Sequence, residues 1–129
     1  MTRNSRPGVV AASGIGLAGL LVAAAAPVIL ANAEGGMWEI SRTGAKPVKL
    51  CVANPMVLAQ FEHRSTKCKR EVVRNSASSS VISYHCSAGD FGRSEVTALT
   101  PRSLRVETQG ISANAPFKYT LQARRVGKC

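Results

Sequence analysis

The chain has 129 residues, 17 lysines and arginines against seven acids, and a formal charge of +10. That length holds one domain plus a short leader and excludes a two-domain protein. Four cysteines without a single close C-x-x-C pair exclude a zinc ribbon and a thioredoxin-type redox centre.

Arg3 and Arg6 open the chain, an uncharged run follows from Val9 to Leu30, and Ala31-Asn32-Ala33 places small residues where a signal peptidase reads them. This is the layout of a cleavable signal peptide over residues 1–33, with the cut expected between Ala33 and Glu34. The run is long enough to cross a bilayer, which takes about 20 residues. It is built of alanine and glycine rather than leucine, however, and contains Pro27, so a leader is favoured over a retained anchor. No cysteine follows the junction to carry a lipid. Residues 34–129 are then a single disulfide-stabilised domain, periplasmic or secreted in a bacterium. The leader takes two arginines and no acid from the +10 total, leaving +8.

The mature part alternates with the period of two that marks half-buried strands. Met37–Arg42 sets Trp38 and Ile40 against Glu39 and Ser41, and Pro47–Ala53 sets Val48, Leu50 and Val52 against Lys49 and Cys51. A short α-helix is expected next: Asn54 suits the N-cap and Pro55 the first turn, and Met56, Val57, Leu58 and Phe61 would cover the sheet before a break at Ser65. The strands Cys68–Arg74 and Ser80–Cys86 flank a serine-rich loop. If Val72 faces Ile82, the same register sets Arg70 opposite Tyr84, Lys69 opposite His85, Val73 opposite Val81 and Cys68 opposite Cys86. Directly opposed residues lie close enough for a bridge. Cys68–Cys86 is therefore expected, and Cys51–Cys129 follows by elimination. A second hairpin around Thr100-Pro101-Arg102 pairs Val96 with Val106 and Ala98 with Leu104. Phe117–Arg124 closes the chain with Phe117, Tyr119, Leu121 and Ala123 on one face and Lys118, Thr120, Gln122 and Arg124 on the other. The fold class is mainly β: an antiparallel meander sheet, able to curl towards a barrel, with one helix after the second strand.

The chemistry-bearing residues do not assemble into a known catalytic pattern. His63 and His85, with Cys68 and Cys86, are possible metal ligands by type, but their spacing matches no zinc motif and bridging consumes the thiols. No nucleophile elbow, phosphate loop or spaced carboxylate pair is present. Asp90 lies in the turn Ala88-Gly89-Asp90-Phe91-Gly92. No cofactor and no metal are expected, and a binding role is favoured over catalysis. The cationic clusters Lys67, Lys69, Arg70 and Arg124, Arg125, Lys128 lack interleaved aromatics, which argues against nucleic acid. An exported protein meets anionic partners of the envelope first, and a merely solvating charge is the reading placed ahead of any binding role.

Gly36-Met37-Trp38-Glu39-Ile40, Cys51 before a helical segment, the Cys68–Cys86 hairpin and the ending Arg124-Arg125-Val126-Gly127-Lys128-Cys129 together resemble the exported bacterial family called domain of unknown function 3617. The resemblance covers residues 35–129 and implies compartment and disulfides but no activity. Similar proteins often carry a longer Pro/Met-rich excursion where this chain has only Thr43-Gly44-Ala45-Lys46.

The reading is a small periplasmic domain that binds an apolar, amphipathic or anionic envelope ligand, such as lipid or lipopolysaccharide, under a helix over the mouth of a curved sheet. Trp38, Lys69, Arg70, Arg124 and Arg125 are candidate contacts, although for Trp38 the core anchor is the reading placed ahead of a ligand contact. The alternatives are a structural module that contacts another envelope protein, and a hydrolase or isomerase with a site assembled from scattered polar residues.

Overall fold

A computed structural model describes Gly8 and residues 28–129. Most of the expected leader therefore lies outside the described residues. Their order is α1 (Val28–Ala31), β1 (Gly36–Arg42), β2 (Val48–Val52), a 3-10 helix (Pro55–His63), β3 (Cys68–Asn75), β4 (Ser79–Cys86), a short 3-10 turn (Ser87–Gly89), β5 (Phe91–Thr100), β6 (Ser103–Ser112) and β7 (Ala115–Gly127).

The seven strands form one antiparallel sheet in the order β2-β1-β7-β6-β5-β4-β3. Four consecutive hairpins build β3 to β7, and the β1–β2 hairpin adds to the far side of β7. The sheet does not close into a barrel. Between β2 and β3 the chain leaves the sheet to form the 3-10 helix, and these two strands remain its edges. The β3 edge carries Lys69, Arg70 and Arg74, and its register with β4 shifts between Val72 and Arg74. Charges and bulges of this kind discourage edge-to-edge pairing.

The β3–β4 register sets Cys68 opposite Cys86, Arg70 opposite Tyr84 and Val72 opposite Ile82, as the hairpin argument expects. The bulge then puts Arg74, not Val73, opposite Val81. Val73 is left exposed, because an extra residue in one strand turns the following side chains away from their partners. The β5–β6 register pairs Val96 with Val106 and Ala98 with Leu104. Disulfides join Cys68 to Cys86 and Cys51 to Cys129.

The segment after β2 is a 3-10 helix rather than the α-helix expected. Asn54 does cap it, its side chain accepting from the Met56 N–H at 3.0 Å, and Pro55 occupies the first turn. Two commitments then break α geometry. The Ala59 carbonyl accepts the Ser94 hydroxyl at 2.6 Å, and Gln60 adopts φ −122°, ψ 42°. Gln60 is buried and its amide donates to the carbonyls of His63 and Thr66, both at 3.0 Å, so tertiary contacts supply what the helical ladder loses.

The core lies between this helix and one face of the sheet. Trp38, Ile40, Ile82, Val96, Leu104, Val106, Leu121 and Ala123 from the strands meet Leu58, Ala59 and Phe61 from the helix, together with Ile29 and Leu30 of α1. The inner concavity is thus filled by side chains. Leu58, Phe61 and Trp38 are buried in the space beneath the helix where a ligand was expected.

Candidate functional site

Strand registers turn the polar alternation of β4 to β7 into ordered rows on the face away from the helix. The first row is His85, Phe91, Ile111 and Pro116, each the cross-strand partner of the next. The second is Ser83, Arg93, Gln109 and Lys118, and the third is Val81, Glu95, Glu107 and Thr120. Apolar and aromatic, then cationic, then acidic groups therefore succeed one another along the strands.

The face is concave across these rows. A trough of about 610 Å³ is lined by His85, Phe91, Ile111, Pro116, Arg93 and Lys118. A second hollow of about 550 Å³ shares Arg93, Gln109 and Lys118 and continues to Val81, Glu95 and Glu107. Val81 is buried at the floor, whereas Phe91 is 43% exposed, with the His85 imidazole stacked at 6.0 Å between ring centroids. An exposed phenyl ring beside an isoleucine and a proline is an unusual expenditure of apolar surface in a small domain.

The charges differ in how they are satisfied. Glu107 accepts from Arg105 at 2.9 Å and Glu95 from the Ser79 hydroxyl at 3.2 Å. Arg93 and Lys118 form no ion pair with a described carboxylate. They flank Gln109 across one intervening strand, about 10 Å apart at the backbone. An anion seated over Gln109 meets a cation on either side and an amide beneath, and the Glu95–Glu107 pair repels it from the far end.

On the opposite face, under the helix, a polar cluster is buried. Its row is Tyr84, Gly92, Gly110 and Phe117. A Cβ on Gly92 would overlap the Tyr84 phenol, and one on Gly110 would meet the backbone at Phe91 and Gly92. His63 Nδ1 lies 3.0 Å from the Tyr84 hydroxyl and its Nε2 lies 3.4 Å from Asp90 Oδ2, while its ring packs edge-on to Tyr84 and Phe117. Burial pushes the Tyr84 phenol up to about 12, with Glu62 and Asp90 adding to the rise and the Thr108 hydroxyl opposing it. Tyr119 is raised further by burial and by its 2.8 Å hydrogen bond to Glu62, against the Arg42 guanidinium stacked on its ring. An Asp-His-Tyr sequence resembles a general-base relay in connectivity. Tyr84 is fully buried, however, so its oxygen meets no substrate, and the cluster joins the helix to the sheet.

A family model described as protein of unknown function (DUF3617) matches residues 33–129. The chain belongs to the DUF3617 family. No curated protein and no solved structure matches it. For this DUF3617 domain the two disulfides point to an oxidising compartment outside the cytoplasm. Among the described residues no helix is long and apolar enough to cross a membrane, and no group of three or more metal-ligating side chains is present.

The structure scatters the candidate contacts read from the sequence. Trp38 is 0% exposed and its indole N–H donates to the Glu34 carbonyl at 3.0 Å. It is a core anchor with no surface to offer a ligand. Lys69 and Arg70 are neighbours on a strand and so point to opposite faces, as do Arg124 and Arg125. Arg124 lies 3.5 Å from Glu39, and Arg125 donates to the Gly35 carbonyl at 2.8 Å. Three strands separate the two clusters, so they do not form one patch. Ala33 and Glu34 sit at the entry to β1, with the Glu34 carboxylate on Arg102 at 3.1 Å.

Phe91, Arg93, Gln109, Ile111 and Lys118 are not among the contacts expected from the sequence. The signal was present: the register that pairs Val96 with Val106 also sets Arg93 opposite Gln109 and Phe91 opposite Ile111. Which neighbouring strand would complete the row was the missing piece.

Proposed function

We propose that this is a non-catalytic periplasmic binding domain whose outer trough takes an amphipathic anion of the cell envelope. The apolar part lies on Phe91, Ile111 and Pro116, and the anionic group lies over Gln109 between Arg93 and Lys118. One observation carries this reading: a row with exposed Phe91 and Pro116 and half-buried Ile111 runs beside a row holding two cations that pair with no described carboxylate, within one concavity. Apolar contact supplies affinity and the flanking charges supply orientation, the usual division of labour in small-molecule sites. The disulfides agree with an oxidising location outside the cytoplasm, where such lipids occur.

The test is titration of the exported protein with dodecyl phosphate below its micellar concentration, with inorganic phosphate and dodecyltrimethylammonium as controls. Inorganic phosphate should fail to bind, and dodecyl phosphate should bind with a dependence on Arg93 and Lys118 that dodecyltrimethylammonium does not share. The double variant Arg93→Glu/Lys118→Glu should weaken it at least tenfold at low salt, and Phe91→Ser should weaken it at any salt. Equal binding by the double variant would refute the assignment.

A further inference from the structure

The four residues of α1 precede the expected junction, yet they are part of the domain. Ile29 and Leu30 are each only 3% exposed. Helix α1 packs on β4, β5 and the 3-10 helix, and its two aliphatic side chains join the buried cluster that contains Leu58, Ile82 and Val96, with Val57, Ala98 and Ala33 at its margin. On the other side of the junction, Glu34 is pinned by contacts that do not involve α1. Its N–H donates to the Pro101 carbonyl at 3.3 Å, its own carbonyl accepts the Trp38 indole, and its carboxylate meets Arg102 and Arg125. A cut after Ala33 therefore leaves the start of β1 held in place and removes two side chains from the core.

We propose that the cleft filled by Ile29 and Leu30 is an acyl-chain site, occluded by these side chains before the cut and opened by it. The chemistry of the occupant follows from the walls. The neighbouring side chains are aliphatic, and the nearby hydroxyls of Ser94 and Thr108 are bonded to each other and to the Ala59 carbonyl. A dry apolar cavity takes an apolar guest. Strands β4 and β5 are each paired on both sides, so the cleft offers no free backbone groups to an extended peptide, whose own amides would go unpaired. A hydrocarbon chain carries no such groups. This site is on the helix side of the sheet, opposite the trough, and the inference rests on cleavage after Ala33 rather than on occupation of the trough.

The test uses the exported protein after its mass has been measured. The expected mass begins at Glu34, and that protein should bind one equivalent of 11-(dansylamino)undecanoic acid. Decanol, which has no charged head, should displace it. Ala98→Phe fills the cleft from β5 and should weaken binding at least tenfold; if that variant does not fold, Val57→Phe narrows the cleft from the helix. Arg93→Glu/Lys118→Glu should leave decanol displacement unchanged, which separates this site from the trough. A mass that retains Ile29 and Leu30, an absence of probe binding, or binding indifferent to the filling variants would each overturn the proposal.

Discussion

The two disulfides close loops of very different length, and this sets unequal costs for removing them. Cys51 and Cys129 are 78 residues apart, and Cys68 and Cys86 are 18 apart. On the chain-entropy model a bridge stabilises by restricting the unfolded chain, which gives about 4.5 kcal/mol for the long loop and about 3.2 kcal/mol for the short one. Removing the long bridge with Cys51→Ala/Cys129→Ala should therefore cost about 1.3 kcal/mol more than Cys68→Ala/Cys86→Ala, close to tenfold in the unfolding equilibrium. The fold adds to the asymmetry. The hairpin partners keep neighbouring ladder bonds when their bridge is lost, whereas Cys129 lies beyond the end of β7 and has only the bridge to hold it on β2. Trp38 is the sole tryptophan and fully buried, so its fluorescence reports unfolding directly in a urea titration of each double variant. A hairpin variant as unstable as the other, or more so, would refute the argument from unfolded-chain restriction.

Three further outcomes follow from particular contacts. Trp38→Ala should cost about 3–5 kcal/mol by urea titration followed by circular dichroism, since it empties the largest fully buried site and drops the bond to the Glu34 carbonyl; a cost below about 1 kcal/mol would contradict the role of anchor. Gly92→Ala should displace the Tyr84 ring and lower the melting temperature, because the added methyl occupies the phenol's position, whereas Gly44→Ala, with open space around it, should leave Tyr84 unmoved in an NMR comparison. The stability that the Tyr84 phenol contributes should be constant below pH 10 and fall from pH 10 to 12. The folded chain holds the Tyr84 proton up to about 12, while the unfolded chain releases it at its ordinary 10.0, so alkali favours unfolding by about 3 kcal/mol across that window. Tyr119 acts in the same direction, and Tyr84→Phe should flatten the slope.

Much of the sheet was legible because alternation and hairpin register are local properties. The positions of Val72, Ile82, Val96 and Val106 set which residues oppose one another, and Cys68 falls opposite Cys86 without any long-range information. The bulge at Val73 was not legible, since a one-residue slip changes no hydrophobic pattern until the neighbouring strand is known. Nor was the 3-10 geometry, which depends on a hydroxyl from β5 drawing off the Ala59 carbonyl.

The sequence by itself determined the strands, their facing residues, the cysteine pairing and the charge, because each follows from the spacing of side chains along one or two adjacent segments. Only the tertiary structure decided which residues line up on each face of the sheet. The sequence reading put the site under the helix, where Leu58, Phe61 and Trp38 fill the space. Placing β7 beside β6, and β4 beside β5, is what sets Lys118 in line with Arg93 and Pro116 in line with Phe91. Those rows join residues up to 39 positions apart, Val81 to Thr120, and their alignment exists only when four strands are in register.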